Sequence, residues 1–278
     1  MIEVQGLTKR YGEFTAVHDL SFAVRAGEVM GLVGPNGAGK TTTLRCATGI
    51  IPPTLGAIRI HGIDLAADPV GAKRHLAFLP DEPRLFEYLT VEQHLNFVAR
   101  LYSTTDWQAR ATPLLEELEM ADKRQLLPGE LSRGMKQKLT IACGLLHSPK
   151  VIIFDEPLTG LDPGGIRRMK TVIRRLARDG AAIILSSHLL SLLEEVCSHV
   201  LILKTGAKVV DGSIAEVRAR FAVHADSSLE DVFFKATEET PPAPASPVTA
   251  APLVAAAAVV ASADEATAPA DSLPPSSP

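Results

Sequence analysis

Residues 34 to 41 read GPNGAGKT, which is a full match to the pattern GxxxxGK[ST]. Glycines in this pattern let backbone N–H groups turn inward around phosphate oxygens, while Lys40 can reach the β- and γ-phosphates and the Thr41 hydroxyl can bind Mg²⁺. A glycine-rich turn can match by chance, but here an apolar run precedes the segment and a helix-like segment follows it. We therefore expect a phosphate-binding loop, with contacts from Gly34, Pro35, Asn36, Gly37, Ala38, Gly39, Lys40, Thr41 and Thr42.

Two acids, Asp155 and Glu156, directly follow the apolar run VIIF at residues 151 to 154. Ligands of parallel sheets bind beyond the carboxyl ends of the strands, so the acids and the phosphate loop are expected at the same edge. There Asp155 can hold Mg²⁺, directly or through water, and Glu156 can orient or deprotonate an attacking water. The alternative is that the two acids only cap the next turn.

A further apolar run, residues 181 to 185, ends in the segment SSH at residues 186 to 188. A lone histidine is more often structural than catalytic. This strand end, however, is expected at the same sheet edge as the phosphate loop. We therefore expect His188 to contact the γ-phosphate.

The stretch LSRGMKQK, residues 131 to 138, places Arg133, Lys136 and Lys138 at the start of a predicted helix. The helix macrodipole disfavours positive charge at that end, unless a negative ligand arrives there. The alternative is that some of these cations face solvent.

The elements that must position these residues alternate between strands and helices. Residues 1 to 30 alternate loosely and are broken by glycines, as short hairpin strands are, and residues 57 to 65 also have strand character. The runs at 151 to 154 and 181 to 185 are wholly apolar, as in parallel strands covered on both faces, and residues 166 to 180 supply an amphipathic crossover helix. We expect an α/β core with a parallel sheet and a β-rich N-terminal part.

A separate helical subdomain is predicted from about Thr90 to His147, where the apolar spacing becomes helical. Its predicted helices lie in VEQHLNFVARLY, TPLLEELEM and GMKQKLTIACGLL.

The composition is that of a globular chain with a distinct C-terminal segment. Of the 278 residues, 46% are hydrophobic and 22% charged, which suits one large domain or two small ones with ample core. The three cysteines lie far apart, without a CxxC or Cys/His cluster. We therefore expect neither a disulfide framework nor a zinc site, and a reducing cytoplasm as the surroundings.

Charge and hydropathy limit the partners. Residues 237 to 278 carry five acids and no Lys or Arg and are rich in Pro and Ala, which predicts a disordered tail. The rest of the chain has 28 basic and 27 acidic residues, a near-neutral balance that gives no electrostatic case for nucleic acid.

No N-terminal signal is visible, and the longest apolar run, residues 253 to 261, is shorter than the roughly 20 residues of a membrane span.

Together, these motifs resemble the ATP-binding cassette family, the nucleotide-binding domains of ABC transporters, over roughly residues 2 to 235. The resemblance implies an ABC ATPase domain at residues 1 to 236, with a P-loop NTPase core, an antiparallel β subdomain and a helical subdomain at about 82 to 148. It also implies ATP and Mg²⁺. In that family the signature helix of one subunit points its N-terminus at the γ-phosphate bound by the other. Ser132 and the backbone N–H groups of Arg133 and Gly134 would then be donors to ATP held by a partner copy.

The resemblance assigns further residues. Tyr11 matches the aromatic residue that stacks on adenine, with Val17 as an additional contact, and Gly160–Leu161–Asp162 matches the loop that communicates across the dimer. Asp81 stands where the family usually has a glutamine that touches Mg²⁺ and the attacking water, and Arg133 replaces a usual glycine. A carboxylate at position 81 can bind Mg²⁺ as an amide does, but it would repel the γ-phosphate when the metal is absent.

The function that the resemblance implies is that of an ATPase subunit of an ABC transporter. Two ATP-binding subunits would close head to tail around ATP at the cytoplasmic face of the membrane and drive a separate integral membrane permease. The forms LPDEP and LSRGMKQK look most like bacterial exporter-type subunits, which favours export. We expect the permease to contact residues 81 to 90, where Leu85, Phe86, Tyr88 and Leu89 stand among charges. The alternative for these four is packing within the helical subdomain.

Two other classes fit less well. A soluble ABC ATPase acting in assembly or repair is the main alternative, but the chain has a single phosphate loop. Only about 90 residues separate Lys40 from Ser132, too few for the long coiled coil of repair-type members. A P-loop kinase of a small molecule does not account for LSRGMKQ or SSH.

Overall fold

The computed structural model describes residues 1–158, 160–221 and 228–239. Within these ranges the strands are β1 (Ile2–Tyr11), β2 (Phe14–Val24), β3 (Val29–Val33), β4 (Leu55–Ile60), β5 (Ile63–Asp64), β6 (Leu76–Leu79), β7 (Val151–Asp155), β8 (Ala182–Ser186), β9 (His199–Lys204) and β10 (Ala207–Ser213). The α-helices are α1 (Lys40–Ala47), α2 (Pro69–Arg74), α3 (Val91–Leu101), α4 (Trp107–Glu117), α5 (Arg133–Leu145), α6 (Pro163–Arg178), α7 (Leu190–Val196), α8 (Ile214–Phe221) and α9 (Leu229–Glu239). Single 3₁₀ turns lie at Ala121–Lys123 and Pro128–Glu130.

An antiparallel sheet with the order β2-β1-β4-β5 forms the β-rich N-terminal part, as predicted. The segment 57 to 65, predicted to have strand character, is a hairpin formed by the end of β4 and by β5. His61 and Gly62 between β4 and β5 have φ of 52° and 83°. Two successive residues in the left-handed region match the twist of flanking strands, so the chain reverses there.

The second sheet has the order β10-β9-β3-β8-β7-β6 and is parallel from β9 to β6, as predicted. Alternate residues of β7 enter two different apolar clusters, with Ile152 and Phe154 on one face and Val151 and Ile153 on the other. Both faces of the sheet are therefore buried, which is why these strands are wholly apolar in the sequence.

Helices α3, α4 and α5 occupy the region that we expected to be helical. Thr90 and Gln93 form a capping box at the start of α3, with N–H to side-chain oxygen distances of 2.8 and 3.2 Å. Helix α4 begins at Trp107, upstream of the predicted segment, and contains Pro113 in its interior. Ser132 is the N-cap of α5, where its Oγ accepts from the Met135 N–H at 3.2 Å.

The last described helix, α9, buries Leu229, Val232 and Ala236 and ends at Glu239. Helical structure thus continues three residues past the boundary expected at residue 236. Residues 240–278, which carry most of the predicted disordered tail, lie outside the described residues. Among the helices described, none has the length and apolar character needed to cross a membrane.

Candidate functional site

The predicted phosphate loop joins β3 to α1 in a tight backbone conformation. Gly37 and Gly39 have φ of 79° and 94°, in the left-handed region that glycine adopts without a steric penalty. A Cβ on Gly39 would lie 2.6 Å from the Ala16 carbonyl oxygen, and one on Gly34 would lie 2.5 Å from the Leu203 carbonyl oxygen. Glycine is therefore required at 34 and 39, because β2 and β9 approach the loop backbone closely.

The backbone at the start of α1 presents N–H groups without acceptors. Within the described ranges, no hydrogen bond is donated by the N–H of Gly37, Gly39, Lys40, Thr41 or Thr42. Helix α1 has no side-chain cap and no acid in its first turn. Unpaired N–H groups at the positive end of a helix macrodipole can bind an anion such as a phosphate group.

The ammonium of Lys40 folds back over the loop. Its Nζ lies 2.6 Å from the Gly34 carbonyl oxygen and 3.2 Å from that of Pro35. Burial lowers the pKa of Lys40, while the charges of Glu156 and Asp155 raise it. The ammonium thus lies on the loop within electrostatic reach of the two acids, where it can pair with phosphate oxygens.

Sheet topology brings the predicted site segments to one edge. Strands β3, β8, β7 and β6 are consecutive and parallel, so the segments after their carboxyl ends are neighbours. Asp155 is in register with Ser186, and Leu79 with Phe154. The structure therefore brings together the phosphate loop, Asp81, Asp155, Glu156 and the SSH segment.

Asp155 and Asp81 form an acidic pair at this edge. Burial raises the pKa of Asp155, a hydrogen bond with the Ser186 side chain lowers it, and the negative charge of Asp81 raises it further. Oδ1 of Asp81 is buried and has no hydrogen-bond partner within the described residues. An unpartnered buried carboxylate oxygen, a second carboxylate and the exposed Thr41 hydroxyl are hard oxygen ligands, which Mg²⁺ prefers. The residues present fit Mg²⁺.

Glu156 and His188 are in direct contact. Oε2 of Glu156 lies 2.8 Å from Nδ1 of His188, and the side chains are 21% and 70% exposed, respectively. Burial raises the pKa of Glu156, while the charge and hydrogen bonds of His188 lower it. When Glu156 is ionised, Nδ1 donates this bond, which leaves Nε2 available to another group. The pair can therefore serve a general base and a group that contacts phosphate, as the motifs predict.

The signature segment, which is LSRGMKQK at residues 131 to 138 and opens the signature helix α5, lies against a different part of the same chain. A Cβ on Gly134 would be 3.1 Å from the Gly160 carbonyl oxygen, and one on Gly160 would be 3.0 Å from Cδ of Arg133. In the described part of the chain, the N–H groups of Arg133 and Gly134 donate no hydrogen bond, and the first turn of α5 has no acid. The start of α5 is therefore a second candidate anion-binding end, adjacent to the loop 160–162.

Lys138 does not serve this anion-binding end. Its Nζ lies 3.3 Å from Oε2 of Glu119, beyond the end of α4. The interpretation that one ligand explains all three cations is therefore wrong for Lys138, whose charge is balanced within the chain.

The two residues expected at adenine differ in accessibility. Tyr11 ends β1 and is 50% exposed, with the Lys9 ammonium 5.1 Å from its ring centroid, so one ring face can accept a flat ligand. Val17 is fully buried and would lie 3.3 Å from a Cβ on Gly39. Val17 therefore packs beneath the phosphate loop and does not present a surface to a ligand in this conformation.

The motifs predicted no role for Ser186 and Arg45, two residues that act on Asp155. Ser186 bonds the Asp155 side chain, and the charge of Arg45 on α1 lowers the pKa of Asp155. Ser186 lies within the SSH segment, so its strand-end position was a usable signal. Arg45 has no such signal, because only the packing of α1 brings it near Asp155.

The chain is similar to ATP-binding proteins of ABC transporters in its family match and in its relatives. Residues 17–159 match the family described as ABC transporter. The chain is 34% identical over 241 residues to the ABC-type transporter ATP-binding protein EcsA of Bacillus subtilis, covering 86% of this chain and 97% of that protein. It is also 36% identical over 214 residues to the Nod factor export ATP-binding protein I of Burkholderia orbicola, covering 76% of this chain and 70% of that protein.

Two solved structures resemble the fold. An ATP-binding subunit of an ABC transporter superposes with a TM-score of 0.82 at 35% identity, over 85% of this chain and 99% of that one. The ATP-binding cassette MJ0796, in a dimeric post-hydrolysis state bound to ADP and Pi, gives a TM-score of 0.70 at 22% identity, over 77% of this chain and 99% of that one.

Proposed function

The chain belongs to the ABC transporter family as an ATP-hydrolysing, ATP-binding protein, and from this premise we propose that it drives export through a separate integral membrane permease. The observation that supports the ATPase part of this proposal is that the starts of α1 and α5 both present N–H groups without an acceptor among the described residues, with the charge of the base candidate Glu156 acting on Lys40 at the first. The start of α1 follows the phosphate loop, and the start of α5 packs against the loop 160–162.

We propose that each site takes ATP through residues of the α1 end. The N–H groups of the loop hold the β- and γ-phosphates, Lys40 leaves the Gly34 and Pro35 carbonyls to pair with them, and Tyr11 stacks on the adenine. Mg²⁺, held by Thr41, Asp155 and Asp81, would supply charge neutralisation at the phosphates. Glu156 takes the proton of the attacking water, and His188, as the imidazolium, donates from Nε2 to the γ-phosphate and from Nδ1 to the Glu156 carboxylate, which it keeps in place.

The second anion-binding end completes the site of a partner copy. Within one chain, Gly134 is next to Gly160 rather than the phosphate loop, so its N–H group is free for another molecule. We propose that two copies close head to tail, with Ser132, Arg133 and Gly134 of each contacting the γ-phosphate bound by the other. The dimeric state of the MJ0796 cassette supports this arrangement by analogy of fold.

The permease is proposed to dock on residues 85–89, at the membrane's cytoplasmic face. Tyr88 is 87% exposed and Phe86 54% exposed, and Phe86 contacts Phe97 of α3 with ring centroids 5.1 Å apart. Leu85 instead packs against the core, so only part of the apolar set is available to a partner. Exposed aromatic residues in contact with one another are typical of binding surfaces. Export is supported by the form of LPDEP and LSRGMKQK and by the Nod factor export relative.

Isolation of the transporter complex tests this function. The Glu156→Gln protein would be tagged, purified with ATP from gently solubilised membranes of its own host, and its partners identified by mass spectrometry. We expect a polytopic membrane protein at near-equal stoichiometry. Recovery from the soluble fraction with only cytoplasmic partners would instead favour an assembly factor. A Tyr88→Ala variant that still folds and hydrolyses ATP should recover less of the membrane protein.

A further inference from the structure

Glu119, between α4 and the following 3₁₀ turn, has a backbone conformation that suits glycine. Its φ is 55°, in the left-handed region that residues with a Cβ rarely adopt. The position nevertheless carries a glutamate, whose side chain is 56% exposed. A residue held in this region by its surroundings raises the question of what its side chain contacts.

The Glu119 carboxylate joins two helices that are far apart in sequence. Its Oε2 lies 2.7 Å from Nη2 of Arg168 on α6 and 3.3 Å from Nζ of Lys138 on α5. The Lys138 side chain is only 14% exposed, and neither cation pairs with another acid in the described part of the chain. Glu119 is thus the shared counter-ion of both helices.

Both helices begin at segments that face the partner copy in the proposed dimer. Lys138 lies six residues after Ser132, the N-cap of α5, and Arg168 lies six residues after Asp162, the N-cap of α6. The two starts touch, because Gly134 packs against the Gly160 carbonyl. The Glu119 carboxylate therefore ties α5 to α6 at positions that lie somewhat less than two helical turns after the N-cap of each helix.

We propose that Glu119 is a positioning residue for the two-copy ATP site. It holds the signature helix α5 and the loop 160–162 in one fixed relation, so that both reach the partner's bound nucleotide together. This inference rests on the proposed dimer. Glu119 itself contacts neither the phosphate loop nor the acids at the sheet edge, so it should not affect binding of ATP to a single copy.

The test compares Glu119→Gln with Glu116→Gln, both in the Glu156→Gln background. Glu116 is an exposed acid on α4 with no ion pair among the described contacts, so its variant makes the same charge change nearby. Dimerisation with Mg-ATP would be measured by sedimentation. Binding of a fluorescent ATP analogue to the monomer would be measured at protein concentrations below the dimer dissociation constant. We expect Glu119→Gln to raise the dimer dissociation constant about five- to tenfold, as expected for loss of one or two partly exposed ion pairs, with monomer binding unchanged. Glu116→Gln should alter neither.

Hydrogen exchange without nucleotide gives a readout independent of the dimer. Amides at the start of α5 and in the loop 160–162 should exchange faster in Glu119→Gln and not in Glu116→Gln. Unchanged dimerisation of Glu119→Gln would overturn the positioning role, whether or not the melting temperature of the variant is lower. A Glu156→Gln parent that fails to dimerise would contradict the proposed function instead, and the exchange rates would then decide the role of Glu119 alone.

Discussion

Oε2 of Glu156 lies 2.8 Å from Nδ1 of His188, a contact that joins the segments following β7 and β8. The contact depends on a backbone turn at Glu156, which has a φ of 51° directly after Asp155. Its N–H still donates to the Ser186 carbonyl oxygen at 3.0 Å. The two adjacent acids are thereby separated in role, with Asp155 bonded to Ser186 and Glu156 to His188.

Glu156→Gln should abolish turnover yet trap an ATP-dependent dimer. The amide keeps the shape and can still contact His188, but it cannot accept a proton from water, and loss of a general base typically costs about 10²- to 10⁴-fold in rate. Phosphate release and sedimentation with Mg-ATP measure the two effects. Glu82→Gln, at an exposed acid, is the control. Parental hydrolysis by Glu156→Gln would remove this residue from its assigned role.

His188→Ala should move the acid limb of the rate profile to higher pH. Burial raises the pKa of Glu156 and His188 lowers it, so loss of the imidazole leaves only the raising influence. The rate rises with pH as Glu156 ionises, and this rise should occur later in the variant. The measurement is kcat against pH under saturating Mg-ATP. An acid limb at the parental position would show that the contact does not control Glu156.

Asp81→Gln should strengthen the binding of ATP in the absence of metal and weaken the apparent affinity for Mg²⁺ during hydrolysis. The buried Asp81 carboxylate adds negative charge near Asp155, which a cation offsets. Without its charge, the protein should bind ATP more tightly in EDTA and need more Mg²⁺ for half-maximal hydrolysis, with each change about three- to tenfold. Titrations of a fluorescent ATP analogue and of Mg²⁺ measure these effects. If the affinity for ATP in EDTA and the apparent affinity for Mg²⁺ both rose, or both fell, the charge argument would be contradicted.

Alanine at Gly39 should be far more damaging than alanine at Gly37. Both residues have positive φ, but a Cβ on Gly39 would lie 2.6 Å from the Ala16 carbonyl oxygen, whereas one on Gly37 meets nothing within 4 Å. We expect Gly37→Ala to lower the free energy of unfolding by about 1 kcal/mol and Gly39→Ala by about 2 kcal/mol or more, with loss of ATP binding. Urea unfolding measures both variants. Equal losses would indicate that backbone strain alone matters.

His147 should make the protein less stable as the pH falls. Burial lowers the pKa of His147 to about 4, and its Nδ1 is buried without a partner in the described residues, while Nε2 lies 3.2 Å from the Leu76 carbonyl oxygen. The unfolded chain therefore takes up this proton first, so stability is present above pH about 6.5 and is lost progressively towards pH 4. His147→Gln should flatten this part of the curve of melting temperature against pH. An unaltered slope would assign the loss to other groups.

Much of the site could be anticipated because its signals are local. GPNGAGKT fixes a loop whose glycines are needed by the backbone itself, and VIIFD and AAIILSSH combine a buried strand with polar residues at its end. Parallel strands then place all of these residues at one edge, whichever residues fill the rest of the core. The hairpin at His61 was missed because a left-handed histidine leaves no clear sign in a run that otherwise alternates.

The sequence by itself therefore determined the fold class, the family and which segments meet at the carboxyl-end edge of the parallel sheet, since each depends on short-range pattern. Tertiary structure alone decided which charges are paired. Lys138 stands in LSRGMKQK like its two neighbours, yet it faces Glu119, nineteen residues earlier in the chain. Tertiary structure likewise decided that Val17 lies beneath the loop and that the charge of Arg45 acts on Asp155. The physical reason is that a charge or an apolar group is satisfied by whatever packs against it, and packing depends on all the elements at once.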